Sequence, residues 1–158
     1  MNNKNNKIKN KSICQIEGWD WKGEIITIED DGMTAYRWYK LTQEPIKNLS
    51  HADISFLITQ EIGLPYLVPV ALEILKTDFF IETEYYKGDL VMALLKISDD
   101  NKYDYWPNHP VEKAKFCELY KNNQQNMEAS LEYYWDIIKE IKRRFNEFSI
   151  QSDKESVK

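Results

Sequence analysis

The chain has 158 residues, of which 42% are hydrophobic: one domain's worth, with ample apolar content for a packed core. Five glycines and five prolines are too few for a many-turned β-sandwich and point to longer helices. The net charge is −5, and Lys4, Lys7, Lys9 and Lys11 stand in an N-terminal stretch without an acid. The remainder therefore carries −9, a balance that repels phosphate backbones and disfavours nucleic-acid binding.

The opening MNNKNNKIKNKS is polar, has no apolar stretch behind it, and so does not read as a secretory signal. A cytoplasmic protein is expected, with residues 1–12 a disordered polar tail. Ile13 to Trp21 predicts a short helix ended by Gly18, with Trp19 and Trp21 on either side of Asp20. The segment 25–32 (IITIEDDG) alternates weakly and reads as a short strand or an extended linker, with Asp31-Gly32 a turn signal. Thr34 to Leu41 predicts a short helix with Tyr36, Tyr39 and Lys40 near one side, which Pro45 ends or separates from the next element.

Ser50 opens a helix, because Ser50 and Asp53 form a capping-box pattern with Asp in place of the usual Glu. Ile54, Leu57, Ile58 and Ile62 follow at helical spacing, and Gly63 suits a left-handed C-terminal cap. Pro65 fits the first turn of the next helix. Pro69 is tolerated if regular hydrogen bonding begins near Val68, and Val68, Ala71, Leu72 and Leu75 share its stripe. Asp78 to Lys87 is an acidic, aromatic connection. Asp89 can N-cap the almost wholly apolar helix Leu90–Ile97, which should be the buried central one. After the polar, aromatic loop from Asp99, Pro110 starts a helix to about Asn122, with Ala114, Cys117 and Leu119 or Tyr120 inward. A last helix is expected from Met127 to Phe148, its seam made of Leu131, Tyr134, Ile138, Ile141, Phe145 and Phe148, with Trp135 sealing the core. No run of about 18 apolar residues predicts a membrane-spanning helix. The expected architecture is an all-α single helical domain over 13–148, of six or seven helices around Leu90–Ile97, with 149–158 a flexible tail.

Catalytic and metal chemistry is not indicated. Cys14 and Cys117 are far apart, lack a CxxC spacing, and are expected as free thiols. His51 and His109 have no partner at metal-ligand spacing, and no glycine-rich phosphate motif occurs, so no metal, cofactor or small-molecule substrate is expected. The carboxylate pairs Asp30-Asp31 and Asp99-Asp100 are adjacent loop residues rather than acids facing each other across a cleft. Ser50, His51 and Asp53 have the residue types of a triad, but the capping box accounts for them. Cys117 and His109 lack any supporting motif for a cysteine nucleophile.

Ten tyrosines, five tryptophans and six phenylalanines supply the commonest anchors of protein interfaces. Tyr85, Tyr86, Tyr103, Tyr105 and Trp106 lie in or beside acidic loops, a mixture that suits a basic protein partner.

The order of short motifs from Gln15 to Trp106 carries a resemblance. Ile16-Glu17-Gly18 precedes Asp20-Trp21, with Lys22 intruding before Gly23. Leu41, Pro45-Ile46 and Leu49 follow, then Asp53-Ile54, Leu57-Ile58 and Gln60. Next stand Gly63-Leu64, Tyr66-Leu67, Pro69 and Ala71-Leu72-Glu73, and last Tyr86, Gly88-Asp89-Leu90 and Leu94-Leu95. Together they resemble the immunity proteins of bacterial contact-dependent growth inhibition (CDI) systems. The resemblance implies an α-helical, non-enzymatic protein that binds the C-terminal toxin domain of a cognate effector, commonly a nuclease, inside the producing cell. The matched residues read as structural, so toxin contacts are expected at unmatched polar positions: Glu82, Glu84, Tyr85, Asp99, Asp100, Tyr103 and Asp104. An acidic helical adaptor domain with another target is the alternative reading, and a small enzyme a more distant one.

Overall fold

The computed structural model describes residues 3–97 and 105–155, with side chains over 6–97 and 105–149. Among these the chain is helical, with no strand beyond two isolated bridges. Its helices are α1 (Asn3–Lys9), α2 (Ile13–Glu17), α3 (Ile28–Leu41), α4 (His51–Thr59) and α5 (Leu64–Thr77). They continue as α6 (Asp89–Leu95), the single turn α7 (Tyr105–Asn108), α8 (Pro110–Asn123), the single turn α9 (Met127–Ser130) and α10 (Trp135–Glu155).

The α4 boundary follows the expected chemistry. Ser50 Oγ accepts the Asp53 N–H at 3.2 Å, and Asp53 Oδ2 accepts the Ser50 N–H at 3.0 Å. A second capping box, not foreseen, opens α2: Ser12 takes the Gln15 N–H and the Gln15 side chain takes that of Ser12. At the other end of α4 the left-handed cap is Glu61 (φ 55°). The Ile62 and Glu61 N–H groups donate to the Leu57 and Ile58 carbonyls in a Schellman pattern. Gly63 is left-handed as expected (φ 66°), but it precedes α5 rather than closing α4. Pro65 lies in the first turn of α5 and Pro69 inside it, where α5 lacks one backbone donor.

All seven residues of α6 are buried, which confirms the central helix expected from LVMALL. It packs on α4, α5 and α10. Leu57, Ile58, Leu67, Val68, Leu72 and Leu75 face it from α4 and α5 within one core, and Ile141 and Phe145 of α10 belong to the same cluster. Full burial of each such side chain contributes about 1.5–3 kcal/mol.

Several expectations need correction. Within the polar N-terminal segment the chain forms α1, and Ile8 packs against the core; that one apolar residue among lysines and asparagines anchors the segment. The segment 25–32 is a linker only as far as Thr27; from Ile28 it is helical. Thr27 caps α3 by accepting the Asp30 N–H, and Glu29, Asp30 and Asp31 favour the positive helix N-terminus. The Asp31-Gly32 turn signal survives as a break inside α3, where Gly32 has φ 84°. In α8 the buried residues are Lys113 and Phe116. Ala114 is exposed, and Cys117, Leu119 and Tyr120 are half-buried.

The expected Met127–Phe148 helix is interrupted between α9 and α10. Leu131, Ile138, Ile141, Phe145 and Phe148 keep their inward positions, whereas Tyr134 is exposed and Trp135 is 58% exposed instead of sealing the core. The heptad-like spacing runs across an interruption of the helix at 131–134, so Tyr134 does not continue the inward face of α10. α10 itself runs on past Phe148 to Glu155.

Candidate functional site

The loop between α5 and α6 is built around Asp89. Asp89 does not cap its helix; Gly88, left-handed at φ 86°, holds that position. The buried Asp89 carboxylate turns back into the loop instead. Its Oδ1 accepts the Thr83 N–H at 3.0 Å and the Thr83 hydroxyl at 2.8 Å. Its Oδ2 accepts the Glu84 and Tyr85 N–H groups, both at 2.9 Å. Burial pushes the carboxyl pKa up, but the Tyr85, Glu84 and Thr83 donors outweigh it and hold Asp89 below the usual aspartate range. The result is a knuckle tied by four hydrogen bonds to one carboxylate. Phe79 and Phe80 are buried beneath it, while Glu82 and Tyr85 face solvent, Tyr85 at 72% exposure.

Glu84 is held differently. Its carboxylate accepts from Arg37 Nη1 of α3 at 2.8 and 3.1 Å. The same guanidinium lies 3.6 Å from Asp53 Oδ1 and 4.3 Å from the centroid of Phe56. Arg37 thus joins α3, the α4 capping box and the knuckle. Among the seven residues expected to meet a partner, the structure brings Glu82, Glu84 and Tyr85 together on this knuckle. Asp99, Asp100, Tyr103 and Asp104 lie outside the described residues.

Two further surfaces were missed by sequence reasoning. One is the α9–α10 junction, where Glu132 to Asp136 are consecutively exposed and Tyr133 reaches 83%. It emerges near the knuckle: a Cβ placed on Gly88 would lie 3.8 Å from Leu131. A strictly helical reading of this stretch hid the exposure; the run of three aromatics between acids was the available signal. The other is the segment 19–33, where Trp19, Ile25, Ile28 and Met33 are exposed beside Asp20, Glu24, Glu29, Asp30 and Asp31.

No group of three or more His, Cys, Asp or Glu side chains able to hold a metal occurs among the described residues. Both cysteines are free. Burial raises the Cys117 thiol pKa, and His109 is turned toward the Tyr105 carbonyl, its Nδ1 2.8 Å away, while stacking on the Tyr105 ring. His51 is exposed beside a serine and an aspartate that are occupied with each other. No helix among the described residues is long and apolar enough to cross a membrane.

The described residues thus form an all-helical domain with acidic, aromatic surfaces. A family model described as CDI immunity proteins matches residues 24–115, more than half of the chain, and the protein belongs to that family. The opening motif from Ile16 to Trp21 lies before the matched span, which extends beyond Trp106 into α8. No curated protein and no solved structure matches the chain.

Proposed function

We propose that this protein neutralises the C-terminal toxin domain of a cognate CDI effector in the cytoplasm of the producing cell. The toxin is a basic nuclease, and the immunity protein covers its substrate site with carboxylates where phosphates would lie. The observation that carries the reading is the Asp89-centred knuckle, which presents Glu82 and the exposed ring of Tyr85 on a preordered backbone. Preorganisation of this kind reduces the ordering cost of binding. Asp99, Asp100, Tyr103 and Asp104 are assigned to the toxin contact on their acidity and aromaticity alone, and long-range attraction between the acidic body and a basic toxin speeds encounter.

The test is co-purification with the toxin domain encoded beside it, together with a growth assay in cells that express the toxin. A stable complex and restored growth support immunity; absence of both overturns it. Within a complex, Glu82→Lys combined with Tyr85→Ala is expected to weaken binding more than tenfold. Unchanged affinity in the folded variant would move the contact surface elsewhere and leave immunity standing.

A further inference from the structure

The segment between α2 and α3 folds over the end of α3 and leaves an open cleft of about 420 Å³ lined by Trp19, Asp20, Trp21, Glu24 and Trp38. Its aromatic wall is firmly set. Trp21 lies 5.2 Å from Trp38 and 5.1 Å from Tyr39, centroid to centroid, and its indole N–H points to Cys14 Sγ at 3.4 Å. With the N–H engaged inside, the indole contributes its ring to the cleft rather than a hydrogen-bond donor. The Trp19 N–H donates to the Cys14 carbonyl at 2.9 Å, and the Tyr39 hydroxyl reaches the Glu24 carbonyl at 3.5 Å, so both sides of the cleft are tied to the body.

Three indoles with two carboxylates at the rim are complementary to a planar cation. Ring faces attract a guanidinium through their quadrupole, and Asp20 and Glu24 supply opposite charge. The surroundings have the same character on a larger scale. Ile25 is 78% exposed and Met33 62%, and Glu29, Asp30 and Asp31 stand between them, with Lys22 the one basic residue from 19 to 33. A small cationic metabolite would leave that apolar apron uncovered, whereas a protein surface would bury it.

We propose that this cleft receives an arginine side chain of a basic protein partner, with Ile25, Ile28 and Met33 packing against apolar residues around that arginine. The inference rests on the immunity reading only for the partner being the toxin domain. The cleft is a second anchor, distinct from the knuckle.

The first arm of the test needs no toxin. Tryptophan fluorescence is followed while hexa-arginine is titrated in, with hexacitrulline as the uncharged counterpart. Saturable quenching by hexa-arginine is expected, at least fivefold weaker in Trp19→Ala and in Glu24→Gln, and unaltered in Glu118→Gln, which removes an exposed charge from α8. Glu24→Gln keeps the test usable should Trp19→Ala fail to fold. Absence of saturation, equal response to hexacitrulline, or equal weakening by Glu118→Gln would overturn the cation site. In the second arm, Glu24→Gln and Trp19→Ala are expected to raise the Kd for the toxin domain at least tenfold. A complex with unchanged Kd overturns the cleft as an anchor and leaves immunity intact; failure of the unaltered protein to bind toxin overturns immunity and leaves the peptide result to decide the cleft.

Discussion

Asp89 and Thr83 are six residues apart, and a single carboxylate oxygen of the first takes both the backbone N–H and the hydroxyl of the second. Asp89→Asn keeps the size but replaces one acceptor oxygen with a donor facing the Glu84 and Tyr85 N–H groups. Destabilisation of about 2–3 kcal/mol is expected, read from denaturant melts. Amide exchange at Thr83, Glu84 and Tyr85 should rise more than exchange in α5.

The same carboxylate makes the knuckle acid-sensitive. Its folded pKa lies below its unfolded value, which is about 3.9. Its contribution is therefore complete above that unfolded value and fades as pH falls through the folded one. Thermal melts from pH 7 down to pH 2 should show stability falling in the acid range, with a smaller fall in Asp89→Asn. Parallel curves for the two proteins would mean that other carboxylates dominate.

Arg37 and Glu84 form a partly buried pair linking α3 to the knuckle. A double-mutant cycle of Arg37→Ala with Glu84→Ala is expected to give a coupling of about 0.5–1 kcal/mol, shrinking at high salt. Zero coupling at low salt would mean that Arg37 acts through Phe56 and Asp53 instead.

Gly63 is the tightest glycine in the fold. A Cβ there would stand 2.7 Å from Ile13 Cδ1, and its φ of 66° lies where L side chains are strained. Ile13 is fully buried and has little room to yield. Gly63→Ala should cost about 1–3 kcal/mol, seen as a lowered Tm.

Trp135 and Phe116 form a contrasting pair. Trp135→Ala should change stability by no more than about 0.5 kcal/mol, since the ring is exposed, whereas Phe116→Ala should cost about 3–5 kcal/mol. Comparable losses for both would place Trp135 in the core.

How far the fold was legible depended on whether a signal was local. The Ser50–Asp53 box, the apolar helix after Gly88 and the stripe of α5 are written in adjacent residues, and each stands where its pattern put it. Asp89 shows where local reasoning stops. An aspartate after glycine at a helix start has the chemistry of a cap, and only the loop's return path shows that its oxygens face Thr83, Glu84 and Tyr85. Tyr134 shows a related limit: spacings of three and four persist across a break, although the helix does not, and Trp135, expected to seal the core as a large ring, stands exposed at the first turn of α10. In the candidate site, the acidity and aromaticity of 82–85 were visible, but the Arg37 contact to Glu84 spans 47 positions and leaves no local trace. The Trp19–Trp38 cleft likewise needs two distant segments to meet.

The position of Phe116 bears on how the family's shared segment can be used. The matched span stops at Lys115, one residue short of a ring that lies against Phe79, Trp106, Phe145 and Phe148. Leu131 and Ile141 close over Gly88 from the same later part of the chain. The matched stretch is thus by itself an open half-shell, closed by residues that come after it. A fragment cut at the end of the matched span would expose the floor of α6 to water, so the length that folds as a unit runs beyond the matched residues.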